Sequence, residues 1–120
     1  MKYLKLCSLL VVVFLFVLLF SGTSAAVSRN ERTEKTYMTI QEAIDDSENQ
    51  DTIVVDEGTY EENIVINKEN LTLKANGTVI IDGWRDREPV INIIANGSKI
   101  NGFTLINGTH GIYSSAAGVT

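Results

Sequence analysis

The fold is decided by residues 51–82, which read DTIVVDEGTYEENIVINKENLTLKANGTVIID. Apolar and polar residues alternate there in short runs, which is the period of a half-buried strand. Similar runs continue to residue 106, and Asn-Gly or Asp-Gly dipeptides, which are typical of turns, follow several of them. The pattern predicts an all-β fold, with strand blocks at residues 52–55, 63–67, 70–74, 78–82, 90–94, 99–101 and 103–106.

A short helix is predicted directly before these strands. Residues 39–42 read TIQE, the form of a capping box, in which the Thr hydroxyl accepts from the Glu amide and the Glu carboxylate reaches back. Ile40, Ala43 and Ile44 then form one apolar stripe. We expect a helix over residues 40–47 that covers one end of a stack of strands.

The lengths of the connections between the strand blocks distinguish between two all-β architectures. Hairpins with two-residue turns would favour an antiparallel sandwich, but the connections here are unequal, and the longer ones are 56–62 and 83–89. Three short strands per turn would stack in parallel as coils of roughly 20–30 residues. Residues 99–108 also echo residues 70–77, since both end in an apolar residue followed by Asn-Gly. We predict a parallel β-helix, a solenoid, with the sandwich as the alternative.

The amino-terminal residues have the pattern of a secretion signal. Lys2 and Lys5 precede an apolar run at residues 6–20, and small residues follow it. The alternative is an uncleaved membrane anchor, but this run has 15 residues, fewer than the roughly 20 of a membrane-spanning helix. The predicted organisation is a cleaved signal peptide at 1–26, a flexible lead-in at 27–38, and the capping helix with the first coils at 39–120.

The net charge and the cysteine content limit the kinds of binding partner and the ways in which the fold can be stabilised. After cleavage the chain keeps 8 Lys and Arg against 15 Asp and Glu, a formal net charge of −7. This balance argues against nucleic acid and against anionic membrane surfaces, so the export signal is the predicted link to a membrane. The single cysteine, Cys7, lies in the signal, so packing and backbone hydrogen bonds must hold the fold. The predicted location is secreted, at the cell surface or in the periplasm.

Several segments resemble the amino-terminal start of right-handed parallel β-helix proteins of the pectin-lyase-like class. They are TIQEAI at 39–44, DTIVV at 51–55, GTY at 58–60, Glu62, IVI at 64–66, LTL at 71–73 and IDG at 81–83. INGFTLIN at 100–107 and GIY at 111–113 are similar to the following coils of NosD-like and CASH-domain proteins. The resemblance covers nearly all of the mature chain and implies the fold. It does not settle activity, because the same opening precedes lyases, pectin methylesterases, epimerases and coils without known catalysis.

Three functions stay open on this basis. The first is an exported, non-catalytic β-helix domain of the cell envelope or surface that contacts polysaccharide. The second is the opening portion of a carbohydrate-active enzyme of the lyase or methylesterase type. Its catalytic residues would lie on later coils, so none is assigned here. The third is a NosD-like periplasmic accessory for metal insertion, for which the single histidine, His110, offers few ligands.

One candidate contact for carbohydrate is the cluster around Trp84. An aromatic ring stacks on a sugar face, and carboxylates accept hydrogen bonds from hydroxyl groups. The candidate residues are Trp84, Asp82, Asp86 and Arg85. The alternative is that the charged residues of this segment form local surface ion pairs, which stabilise little.

No cofactor or metal site is predicted. Asp56, Glu57, Glu61 and Glu62 surround the GTY segment and supply carboxylates of the kind that Ca²⁺ prefers. The spacing of a calcium-binding loop is absent, however, so we expect a solvated loop.

Four sequons for N-glycosylation are present, at Asn70, Asn76, Asn96 and Asn107. Three of them are Asn-Gly turns, so turn formation is an alternative reason for their presence. Glycans at these positions would require them to be surface points.

The carboxyl-terminal coils lack a predicted cap. Ile100, Phe103, Leu105 and Ile112 would form an open apolar face, and burying each would stabilise the fold by roughly 1.5–3 kcal/mol. We therefore expect a truncated solenoid, with further coils or a second copy of the chain covering this face, or else a marginally stable chain that tends to associate.

Overall fold

The computed structural model describes residues 27–85 and 87–120. The predicted signal peptide at 1–26 lies outside the described residues. Among the described residues, no helix is long and apolar enough to cross a membrane. The elements in chain order are β1 (Ser28–Asn30), β2 (Thr36–Tyr37), α1 (Ile40–Asp45), β3 (Thr52–Glu61), β4 (Ile64–Ile66), β5 (Thr72–Asp82), β6 (Ile91–Ile93), β7 (Lys99–Ile106) and β8 (Ile112–Ser114).

The strands form two sheets, and the chain alternates between them. In the first sheet β3, β5 and β7 pair in parallel, and β1 and β2 extend it beside β3 in antiparallel pairing. In the second sheet β4, β6 and β8 pair in parallel. The prediction of an all-β fold with parallel strands is therefore confirmed. The sandwich alternative is wrong for the described strands, because every pairing among β3 to β8 is parallel.

The strand register places apolar residues directly above one another. Ile64 of β4 pairs with Ile91 of β6, which pairs in turn with Ile112 of β8. Ile53 and Leu73 do the same between β3 and β5. The inward residues of β3 to β6 are buried, whereas Ile112 is 45% exposed. The core formed in this way contains Ile40, Ala43, Ile44, Ile53, Val55, Tyr60, Ile64, Ile66, Leu71, Leu73, Val79, Ile81, Val90, Ile91 and Ile93.

A stack of left-handed turns holds the layers in line. Its members, which we call the turn stack, are Gln50, Asn70, Gly97 and Gly118, with φ of 71°, 56°, 73° and 68°. In the first three, the backbone amide donates to the carbonyl of the residue directly before the next member, at 2.8–3.0 Å. A Cβ at Gly97 would collide with the Asn70 side chain, so glycine is required there.

The helix α1 is held at its amino end by a residue from outside it. It buries the predicted apolar stripe completely and ends two residues earlier than predicted. The Thr39 hydroxyl accepts from the Glu42 amide at 3.1 Å, as predicted. The carboxylate that meets the next free amides comes from Glu62, which accepts from Ile40 at 2.8 Å and from Gln41 at 3.0 Å. A carboxylate is favourable there because the first amides of a helix have no partner within it.

The structure corrects the prediction of a flexible lead-in over residues 27–38. Ser28 and Asn30 of β1 have no exposed surface. The Ser28 hydroxyl donates to the Thr39 carbonyl at 2.8 Å, and the Asn30 amide donates to Asp51 at 2.8 Å. These two polar residues are thus buried because hydrogen bonds to distant residues satisfy them, which apolar alternation cannot reveal.

Three segments that the sequence predicted to separate strands lie within strands instead. They are residues 56–61, 75–77 and 102, which lie within β3, β5 and β7. The ladder continues past irregular register between Asp56 and Gly58 and between Lys74 and Val79. Bulges of this kind add residues without ending a strand. The Gly residues from which turns were predicted therefore lie at bulges.

Asp51 joins the β1–β2 hairpin to the rest of the fold. Its carboxylate is 3% exposed and accepts from Arg32 at 2.6 and 3.0 Å. It also accepts from the Asn30 amide and from the Glu48 backbone amide, at 2.8 and 2.9 Å. The hydrogen bonds from Arg32, opposed by burial, hold the pKa of Asp51 well below its ordinary value.

We predict that Glu62→Ala lowers the free energy of unfolding by about 1–2 kcal/mol, because two helix amides lose a charged acceptor. Urea denaturation would measure the loss. Glu61→Ala is the matched control, because Glu61 is the adjacent carboxylate and is exposed. Equal stability of the two variants would contradict the capping role.

We predict that Asp51→Asn lowers the free energy of unfolding by about 2–3 kcal/mol at pH 7. The pKa of Asp51 is lower in the folded than in the unfolded chain. The carboxylate therefore stabilises the fold above the ordinary Asp pKa of about 3.9, and this contribution is lost progressively below it. Urea denaturation at pH 7, 5 and 3 should show the variant and the natural chain converging at low pH. Glu31→Gln, which removes an exposed carboxylate nearby, should show neither effect.

Candidate functional site

The connection between β5 and β6 is the longest one between consecutive strands from β3 onward. It spans residues 83–90, eight residues, against two between β3 and β4 and five between β7 and β8. Its Trp84 side chain is 61% exposed. The guanidinium carbon of Arg85 lies 5.1 Å from the centre of the Trp84 ring. One face of the ring is thus taken by a cation, at a distance typical of a cation–π contact.

The predicted carbohydrate residues are only partly brought together. Trp84 and Arg85 are in contact, and Arg85 also lies 3.7 Å from the Glu88 carboxylate, as the ion-pair alternative expects. Asp82 is engaged elsewhere, since its carboxylate accepts from the Asn107 amide at 3.0 Å. Asp86 lies outside the described residues. Carbohydrate contact at this cluster stays a prediction.

Next to this connection lies a cavity of about 370 Å³ that sequence reasoning missed. The Asn63 amide nitrogen donates to the Pro89 carbonyl at 3.0 Å, which fixes the end of the connection against the start of β4. Glu88 is the one carboxylate among the described residues that line the cavity. These residues therefore do not supply the pair of carboxylates that glycoside hydrolysis requires. The lining residues are Asn63, Ile64, Val65, Glu88, Pro89 and Asn92.

Two amide oxygens beside the cavity are buried without a hydrogen-bond partner, those of Asn63 and Asn92. Asn92 interrupts the apolar pair Ile91 and Ile93, and strand alternation predicts that such a residue faces solvent. Alternation gives no warning that the Asn92 oxygen is buried, because it does not show that Asn92 lies beside Glu88 and Pro89 in the lining of one cavity. A buried acceptor that is left without a partner costs stability.

The acidic group around residues 56–62 has structural partners. Asp56 accepts from the Asn76 amide at 3.2 Å, and Glu62 holds the start of α1. Burial, with the nearby Asp56 and Glu62 carboxylates, raises the pKa of Tyr60 to about 12. In the part of the chain that the structure describes, no group of three or more His, Cys, Asp or Glu side chains is placed to hold a metal ion.

His110 is an exposed residue on the connection between β7 and β8. Its ring lies 6.4 Å from the ring of Tyr113, between centroids, and its Nδ1 is 3.4 Å from the Thr109 hydroxyl oxygen. These are local surface contacts.

The four sequons divide into two structural groups. All four Asn residues are exposed. Asn70 is a member of the turn stack, and Asn96 directly precedes its member Gly97. Asn76 lies in the irregular part of β5, and Asn107 directly follows β7.

Comparison with known proteins relates the chain to a protein of the cell surface. No family model matches the chain, and no solved structure matches it. The chain is similar to a cell surface glycoprotein of Methanothermus fervidus, with 44% identity over 107 residues. The match covers 87% of this chain and 18% of that protein, so the chain spans less than a fifth of its relative's length.

We predict that Asn92→Leu raises the free energy of unfolding by about 1 kcal/mol, because it removes a buried acceptor that has no partner and keeps a similar shape. Asn63→Leu is the matched comparison. It should be destabilising, because it also removes the hydrogen bond to Pro89. Urea denaturation of both variants is the measurement, and a loss of stability in Asn92→Leu would show that its amide has a partner in solution.

Proposed function

We propose that this chain is a non-catalytic structural segment of a cell surface glycoprotein, built as a right-handed parallel β-helix. The observation that carries the proposal is the 44% identity, over most of this chain, to a protein described as a cell surface glycoprotein. The predicted secretion signal at residues 1–26 agrees with an exported protein.

The β-helix is supported by the repeat of strands and turns. In the first sheet Thr52 pairs with Thr72 and Thr72 with Lys99, at separations of 20 and 27 residues. In the second sheet the separations from Ile64 to Ile91 and on to Ile112 are 27 and 21 residues. Coils of this length, each adding one strand to each sheet and one left-handed turn, are what a solenoid requires.

A structural role is supported by what the buried and bonded carboxylates do. Asp51 anchors the amino-terminal hairpin, Glu62 caps α1, and Asp82 holds the Asn107 amide between neighbouring layers. Each of these groups stabilises the stack. The enzyme and metal-insertion alternatives gain no support from the similarity, which is to a protein named for its location and its glycans.

The proposal predicts that the chain is displayed on intact cells. Intact cells that produce the chain would be treated with a membrane-impermeant biotin reagent. An antibody raised against the purified chain would then show whether the chain carries biotin. We expect labelling before lysis, and a variant without residues 1–26 should stay unlabelled in the cytoplasm. Labelling of the complete chain only after lysis would overturn the proposal.

A further inference from the structure

The four N-glycosylation sequons lie in two different structural environments of this fold. A sequon requires a hydroxyl two residues after the Asn, so the glycosylating enzyme must reach both the amide nitrogen and that hydroxyl. Whether each of the four sequons offers both groups depends on its place in the stack.

In the sequon at Asn96 the hydroxyl is inaccessible. Ser98 has no exposed surface, and its hydroxyl donates to the Ala95 carbonyl at 3.2 Å. The Asn96 side-chain oxygen accepts from the Ala117 amide at 3.0 Å, which holds the Asn side chain against the next layer. An enzyme would have to open the turn stack to engage this sequon.

In the sequon at Asn70 the Asn side-chain oxygen packs against the next layer. This oxygen packs so closely on Gly97 that a Cβ at that position would collide with it. The following Leu71 has no exposed surface, and Thr72, which supplies the hydroxyl, is only partly exposed at the start of β5.

The other two sequons project from the fold. Asn76, Gly77 and Thr78 are all exposed, as are the three residues that begin at Asn107. The Asn76 amide donates to Asp56 at 3.2 Å, and the Asn107 amide donates to Asp82 at 3.0 Å. A primary amide carries two N–H bonds, so a second one remains on each nitrogen.

We propose that the folded chain is N-glycosylated at Asn76 and Asn107 and not at Asn70 or Asn96. This deepens the proposed function, because it rests on the chain being an exported glycoprotein. The donor is a lipid-linked oligosaccharide. A bond forms between Nδ2 and the sugar C1, the C1–O bond to the lipid phosphate breaks, and the phosphate leaves with the electron pair. The amide proton passes to a base of the transferase, and the remaining N–H keeps the hydrogen bond to the aspartate.

The test is glycan transfer to the folded, glycan-free chain by archaeal membranes that contain the transferase and its lipid-linked donor. Glycopeptide mass spectrometry would give the occupancy of each sequon. We expect at least tenfold higher occupancy at Asn76 and Asn107 than at Asn70 and Asn96. Short synthetic peptides spanning each sequon should all accept glycan, since they have no fold to hide the hydroxyl.

Matched variants assign the effect to single sequons. Thr78→Ala should abolish transfer to Asn76 and leave Asn107 unchanged, and Thr109→Ala should do the reverse. Comparable occupancy at Asn96 and Asn76 in the folded chain would overturn the proposal. So would no transfer to the folded chain under conditions in which the peptides accept glycan.

The outcome of this test is separable from that of the proposed function. Transfer with membranes does not depend on where the cell places the chain. If the folded chain selects Asn76 and Asn107 but surface labelling of intact cells fails, the location is wrong and the site selection stands. If surface labelling succeeds but transfer is not selective, the location stands and the site selection is wrong.

Discussion

The hydrogen bonds between successive left-handed turns are the constraint on which the rest of the fold depends. Gln50, Asn70 and Gly97 each donate their backbone amide to the next layer from a positive φ, which ordinary L-residues adopt only at a cost. Asn70 and Gly97 are residue types that tolerate it, and Gly97 also leaves room for the Asn70 side chain. Because these turns fix where β5 and β7 begin, the apolar residues of neighbouring strands coincide and form a continuous core.

The first layer of this stack is closed by charged groups rather than by apolar ones alone. The α1 stripe covers the core, but two carboxylates attach the helix and the hairpin to it. Glu62 accepts hydrogen bonds from two helix amides, and Asp51 accepts hydrogen bonds from the hairpin and from the segment after the helix. Burying Asp51 is tolerated because Arg32 and several N–H groups surround it, which offsets the loss of hydration.

The sequence predicted the features that depend on local pattern. Alternation identified the strand blocks that contain buried residues such as Ile53 and Leu73, and the capping box located α1 within two residues. It missed β1, whose Ser28 and Asn30 are buried by virtue of partners 11 and 21 residues away. Such partners become visible only when the fold brings them together. For the same reason the cavity was missed, because its lining joins residues of β4 and β6 to Glu88 and Pro89. Of the predicted carbohydrate residues, the contact of Trp84 with Arg85 follows from adjacency, whereas the bond from Asp82 to Asn107 does not.

The sequon at Asn96 shows how one tripeptide can arise from packing alone. The Asn96 oxygen bonds the next layer, Gly97 provides the left-handed turn, and Ser98 fills a buried position with a hydroxyl that bonds within the same turn. Leu71 occupies the equivalent position one layer earlier, since the Lys99 amide donates to Leu71 and the Thr120 amide to Ser98. Each of the three residues therefore has a structural reason to be present, and the pattern requires no enzyme to explain it. Asn76 and Asn107 differ because the threonines that complete their sequons lie on the surface. The fold, rather than the sequence motif, thus distinguishes residues that build the stack from residues that it displays.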